Sequence, residues 1–384
     1  MQSLAAGRSK LADVGVTVFT VMTRLAGEHG AINLAQGFPD FDCPADLVDL
    51  AAAAMRDGHN QYAPMQGVPA LREALAAKIA RLYGAAYDPA TEITITSGAT
   101  EALFCAISAL VGPGDEVILF EPCYDSYVPA VRLNGGTPVF VTLRPPDYGI
   151  DWSAVRAALS RRTRMVIVNS PHNPSGAALG SVDLRQLAAV LDGTNIVVLS
   201  DEVYEHVVFD GKRHESVCRL PELAARSCVV SSFGKTFHTT GWKVGYVSAP
   251  EALSREIQRI HQFVTFATHT PSQAAYAALL ADPSRYEGLA GFYQAKRNRF
   301  LRLLEGSRFK PVPCRGTYFQ LLDYSAITRA SDVDFAMTLL REHGVASIPT
   351  SAFLYASEVP PVLRFCFAKR DETLSAAAER LRAV

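Results

Sequence analysis

Between residues 92 and 248 the chain repeats one pattern: an unbroken aliphatic or β-branched run, a short turn, then a helical stretch. The runs fall at 92–96, 116–120, 139–142, 164–168, 195–199, 228–230 and 242–248. A strand with one wet face alternates apolar and polar residues, whereas a strand buried on both faces need not. Unbroken runs joined by helices therefore predict an α/β fold whose mostly parallel, seven-stranded sheet lies between helices. Helices are expected at 102–111, after the turn at 122–127, at 151–159 and at 182–191. Ser97 is the expected N-cap of the first of these.

Other stretches lack this rhythm. Residues 13–28 read as a short amphipathic helix, followed by a Gly/Pro-punctuated loop at 31–40, a helix at 45–56, an irregular stretch at 60–67 and a helix at 69–83. Residues 251–305 are mostly helical, and the remainder mixes short strands at 317–321 and 363–367 with helices at 332–343 and 371–382. A chain of 384 residues has room for two domains. The expected division is a large domain at 45–285 and a smaller α+β domain at 286–384, with residues 1–44 belonging to the smaller one.

A net charge of −1 offers no global field for nucleic acid or an anionic membrane. A small-molecule partner is expected instead. The seven cysteines are scattered without C-x-x-C spacing and read as reduced, mostly buried hydrophobes. The histidines, among them His172, His206, His238 and His261, show no i, i+4 pairing and no acid at metal spacing, so no metal site is expected. Arg8 and Lys10 precede an apolar run that Asp13 interrupts, which reads as a docking segment rather than a signal peptide. With no run long enough to span a membrane, the cytoplasm is the default.

Open parallel sheets bind ligands beyond the carboxyl ends of their strands, and polar residues wait at four such ends. After 92–96 come Gly98-Ala99-Thr100, at a helix N-terminus whose free N–H groups suit a phosphate. After 164–168 comes Asn173, fixed between Pro171 and Pro174; after 195–199 come Asp201 and Tyr204. An aspartate behind an apolar strand is costly to bury unless it meets a cation. After 228–230 come Ser232, Lys235 and Lys243. A lysine in a desolvated pocket has a lowered pKa, and its neutral amine then forms a Schiff base with a carbonyl. Together these groups describe a pocket for pyridoxal 5′-phosphate. Lys235 takes the aldehyde, Asp201 holds a proton on the pyridine nitrogen, Tyr204 and Asn173 bond the ring hydroxyl, and Tyr124 offers a flat face to the ring.

Asn173-Pro174-Ser175-Gly176, Ser200-Asp201-Glu202-Val203-Tyr204 and Ser232-Phe233-Gly234-Lys235, continued by Gly241-Trp242-Lys243-Val244-Gly245-Tyr246, resemble class I/II aminotransferases of fold type I. The resemblance runs from about Ile32 to the C-terminus. The stretches at 36–41, 60–65, 231–243 and 363–369 are most similar to bacterial methionine aminotransferases and to kynurenine aminotransferases of the glutamine transaminase K type. It implies phosphate contacts from Gly98, Ala99, Thr100, Ser232 and Lys243, a stacking role for Tyr124, and Lys235, Asp201 and Tyr204 as the catalytic residues. Lys243 stands where many relatives have arginine. Tyr62 matches a tyrosine that reaches the partner subunit's cofactor, which implies a homodimer with shared active sites. Arg364, with the Gly37 backbone and Asn173, matches the site for the substrate α-carboxylate.

The reaction implied is a two-step transamination between amino acids and 2-oxo acids. Residues 262–270 contain no arginine for a second carboxylate, and Phe38, Phe266 and Phe353 suggest an apolar pocket for methionine, aromatic amino acids, kynurenine or glutamine. An apolar pocket separates such substrates by only about 1–3 kcal/mol per methylene, so several should be used. A carbon–sulfur β-lyase on the same fold is the alternative. A cofactor-sensing regulator is disfavoured because the first thirty or so residues leave no room for a DNA-binding segment.

Overall fold

The computed structural model describes residues 9–384, so Arg8 of the expected docking segment lies outside the described residues. The main sheet runs in the order Ile93–Thr96, Gly245–Ser248, Ser227–Ser232, Val197–Asp201, Thr163–Asn169, Glu116–Glu121 and Thr137–Thr142. The last five strands are mutually parallel. Gly245–Ser248 is antiparallel to both its neighbours, because it returns from Ser227–Ser232 through a short connection with no crossover helix.

Burial on both faces explains the unbroken runs. Val117, Leu119, Met165, Ile167, Leu199 and Val230 pack on one face with Ala102, Ala106 and Ile107 of the helix Gly98–Leu110. Alternate residues of the same strands, Ile118, Val166, Val168, Val198 and Val229, join the larger core with Leu184, Leu187 and Leu223. Truncating a buried leucine or isoleucine among these to alanine typically costs about 2–5 kcal/mol.

Two expectations need correction at element ends. The helix expected at 102–111 begins at Gly98, and Ser97 makes no side-chain cap; its N–H is instead taken by the Glu101 carboxylate reaching back one turn. Only Gly245–Ser248 of the run at 242–248 is strand, since Thr240–Trp242 forms a 3-10 turn and Lys243 sits at φ +53°. Beyond the strand Ser227–Ser232, Lys235 rides on the one-turn helix Phe233–Thr236.

A second sheet has the order Ile348–Pro349, Val362–Cys366, Phe319–Asp323 and Lys310–Pro311, antiparallel throughout. The strand Ile32–Asn33 pairs in parallel with Val345–Ala346. Helices at Val18–Glu28, Asp332–Glu342 and Asp371–Arg382 accompany these strands. The seven cysteines are unpaired, and all but Cys43 are buried. No described helix is long and apolar enough to cross a membrane.

Candidate active site

A cavity of about 260 Å³ opens at the carboxyl ends of the parallel strands. One wall is the start of the helix Gly98–Leu110, whose first N–H groups have no intrahelical partner. Gly98 adopts φ +77°, and a Cβ there would stand 3.2 Å from the Lys243 Nζ. Opposite it, a Cβ at Gly245 would lie 2.7 Å from the Ala99 nitrogen. Glycines thus let two backbone segments and a lysine meet in a space no side chain fills. Ala99, Thr100, Ser232 and Lys243 line it, and among the described residues Lys243 has no carboxylate at salt-bridge distance. Free N–H groups, a helix N-terminus and an unpaired ammonium fit a phosphate.

The next wall is built from the strands Val197–Asp201 and Thr163–Asn169. Asp201 is 4% exposed; its Oδ2 accepts from the Tyr127 hydroxyl at 2.6 Å and its Oδ1 from the Val203 N–H at 3.3 Å. Burial pushes its carboxyl up to about 6, and among the described residues no cation lies at salt-bridge distance. The group fits a cationic ring N–H, which would restore its charge. Asn169 donates its side-chain N–H to the Asp201 carbonyl at 2.9 Å and accepts the Asn173 N–H at 2.8 Å, locking the loop that presents Asn173. Tyr204 and Tyr124 line the cavity, and the Tyr124 ring meets Tyr127 edge-on at 5.6 Å.

Lys235 faces the same cavity from the lysine turn. Burial pulls its amine down to about 8, and the positive charges of Lys243 and Arg364 act in the same direction. Its Nζ donates to the Tyr318 hydroxyl at 3.0 Å and to the Gly37 carbonyl at 3.4 Å.

Arg364 lies in the strand Val362–Cys366 and is 1% exposed. It donates to Asn173 Oδ1 at 2.9 Å and to the Ala35 carbonyl at 3.0 Å, while its Nε has no partner. Among the described residues no carboxylate pairs with it, and burial pulls it down to about 10. Its Cζ is 3.9 Å from the Phe319 ring centre, 5.0 Å from Phe19 and 5.2 Å from Phe353. A buried guanidinium with a free donor and only neutral partners fits an anionic ligand.

Gly37 and Phe38 line the cavity, with Phe38 42% exposed. Four of the expected residues are not among the lining: Arg364 and Phe353 are buried beside one another, and Tyr62 and Phe266 are exposed. Tyr62 is 83% exposed and its ring meets Phe266, itself 47% exposed, edge-on at 5.4 Å. Tyr127 and Tyr318 were missed by sequence reasoning. Tyr127 stands three residues beyond Tyr124, a spacing that signalled it; Tyr318 sat unmarked inside an apolar strand run.

In space, one of the histidines does have an acid beside it. His261 Nδ1 lies 2.6 Å from Glu101 Oε1, and the Cys105 Sγ is 3.8 Å from the same oxygen. A residue 160 positions away supplies the acid, which no local spacing could reveal. His261 Nε2 bonds the Met65 carbonyl at 3.0 Å, so hydrogen bonds within the chain engage both ring nitrogens.

The chain matches the family model for aminotransferase class I and II over residues 29–381. It is 51% identical to a methionine aminotransferase of Escherichia coli, covering 98% of this chain and 97% of that one. The structure of an Escherichia coli methionine aminotransferase superposes with a TM-score of 0.96 at 51% identity, over 98% of this chain and 99% of that one. A probable N-succinyldiaminopimelate aminotransferase of Mycobacterium tuberculosis is 40% identical over 97% of both chains. A kynurenine–oxoglutarate transaminase of Dictyostelium discoideum is 35% identical over 96% of this chain and 94% of that one. The chain belongs to the class I and II aminotransferases, the fold type I enzymes that depend on pyridoxal 5′-phosphate.

Proposed function

We propose that the protein transaminates methionine and amino acids with apolar or aromatic side chains of similar size, with a 2-oxo acid as acceptor. The observation that carries this reading is a pair of desolvated cations without a carboxylate partner among the described residues: Lys235, which lines the cavity, and Arg364, buried and bonded to the cavity-lining Asn173. An α-amino acid brings the missing carboxylate. Rings at Phe19, Phe319 and Phe353 surround Arg364, and residues 262–270 offer no arginine to a second acid group. The E. coli relative is named for methionine.

In this reading Gly98, Ala99, Thr100, Ser232 and Lys243 hold the phosphate, and Asp201 keeps a proton on the ring nitrogen. Tyr204 and Asn173 bond the ring hydroxyl, and Tyr124 lies against the ring. Bound there, pyridoxal 5′-phosphate supplies an electrophilic aldehyde carbon and a ring that accepts electron density. Arg364 and the Gly37 backbone grip the substrate carboxylate and so orient its α-carbon. The neutral Lys235 Nζ then takes the α-proton, a task its lowered pKa suits at neutral pH. The rings packed around Arg364 exclude water from the carboxylate.

We further infer a homodimer in which Tyr62 serves the partner's site, supported by its exposure, its contact with Phe266 and the 87% exposure of Phe263. The segment up to residue 44 belongs with residues 286–384, supported by the pairing of Ile32–Asn33 with Val345–Ala346. Substrate choice is tested by kcat/KM for a panel of amino acids. Methionine, phenylalanine or kynurenine should exceed aspartate by at least about a hundredfold, because burying an unpaired carboxylate costs several kcal/mol. Preference for aspartate would overturn the assignment.

A further inference from the structure

We propose that Tyr318 is a positioning residue that receives the Lys235 amine whenever it is free of the cofactor, holding it against the Gly37 carbonyl beside the carboxylate site. This deepens the function proposed above and rests on it. The geometry is a closed triangle: Lys235 Nζ donates to Tyr318 Oη at 3.0 Å and to Gly37 O at 3.4 Å, and the Tyr318 hydroxyl donates to Gly37 O at 2.6 Å. Because the phenol proton is committed to Gly37, its oxygen meets the amine as an acceptor. A neutral amine has two N–H bonds and one lone pair. Both N–H bonds are taken by the two oxygens, and the lone pair is the one direction left unsatisfied. That is the arrangement a proton acceptor needs.

The phenol is mounted to keep this geometry. Thr317 sits at φ +66°, a conformation β-branched residues rarely hold, with its N–H on the Val207 carbonyl at 2.9 Å and its hydroxyl accepting the Phe319 N–H at 3.1 Å. The N–H groups of Arg315 and Gly316 both reach the Gly176 carbonyl, at 2.8 and 3.0 Å. A Cβ at Gly316 would stand 2.6 Å from Pro171. The turn before Tyr318 is thus pinned to the loops that carry Asn173 and Tyr204. The other corner is equally fixed, since a Cβ at Gly37 would lie 2.8 Å from the Phe319 ring. Burial also keeps the Tyr318 phenol protonated, pushing it well above the ordinary tyrosine value.

The test compares wild type with Tyr318→Phe, and with Tyr293→Phe as control. Tyr293 is a neighbouring buried phenol whose hydroxyl meets His238 Nδ1 at 2.9 Å and not the lysine. The full chain, freed of cofactor, is mixed with pyridoxal 5′-phosphate at a series of pH values, and capture is followed by visible absorbance. Capture needs the neutral amine, so its rate rises with pH until the amine is deprotonated. An oxygen acceptor stabilises the ammonium more than the amine, so removing it should move the midpoint down by about one pH unit. Asp201, Lys243, Arg364 and Cys366, whose charges also bear on the amine, and Tyr204, whose ring centre lies 5.7 Å from it, are not substituted in either variant. In the loaded enzyme, Tyr318→Phe should lower kcat at least about tenfold while KM for the amino acid changes less than about threefold, the signature of a contact used after binding. Tyr293→Phe should leave midpoint and kcat alone. An unmoved midpoint, or equal effects from both variants, would overturn the proposal and leave the function standing. A wild-type chain that captures no cofactor would overturn both.

Discussion

Asp201 is held by one phenol and one backbone N–H, and burial leaves it short of a charge partner. An asparagine in its place would keep the shape and the Tyr127 hydrogen bond but could not stabilise a protonated ring nitrogen. Asp201→Asn should therefore fold with an unchanged melting temperature and lose about 10²–10³ in kcat, the scale of one misplaced electrostatic group. Activity within a few-fold of wild type would remove Asp201 from its assigned role. At this scale the sequence was most legible where a polar residue follows an apolar strand, as Asp201, Asn173 and Lys235 do. It was least legible where partners are remote. Tyr318 meets Gly37 across 281 positions, and Glu101 meets His261 across 160; no local pattern carries such information.

Elements with both faces buried announced themselves, because an unbroken aliphatic run of strand length has few other uses. Short ones did not. The one-turn helix Phe233–Thr236 and the antiparallel strand Gly245–Ser248 are too brief for a period to show, and the strand's place is set by the close approach of Gly245 to the helix Gly98–Leu110. That approach has a direct test. A methyl group at Gly245 would meet the Ala99 nitrogen at 2.7 Å and the Ser231 carbonyl at 2.8 Å, both of them backbone atoms with no side-chain freedom to yield. Overpacking of this kind costs about 1–3 kcal/mol. Gly245→Ala should weaken pyridoxal 5′-phosphate binding by about ten- to a hundredfold, measured by absorbance titration. Unaltered affinity would mean that the cradle does not hold the phosphate.

At the scale of the whole molecule the α/β class, the central sheet and the second, smaller sheet were all legible, whereas the assembly was only implied. The exposed Tyr62, Phe263 and Phe266 suit a subunit contact, and a shared site makes a sharp demand on it. Two separately impaired variants, Lys235→Ala and Tyr62→Ala, should regain activity when mixed and allowed to exchange subunits, since one of the two sites in a mixed dimer then has both residues. No recovery, despite subunit exchange shown by labelled chains, would place Tyr62 in its own subunit's chemistry or outside it altogether. The account as a whole stands on Lys235 acting on a methionine-like substrate. The most direct measurement mixes cofactor-loaded protein with methionine and follows the cofactor's visible absorbance, in wild type and in Lys235→Ala. The wild-type band should fall and return when a 2-oxo acid is added, while the variant completes no such cycle. A wild-type band indifferent to methionine and to aromatic amino acids, or a variant that cycles like wild type, would contradict the account.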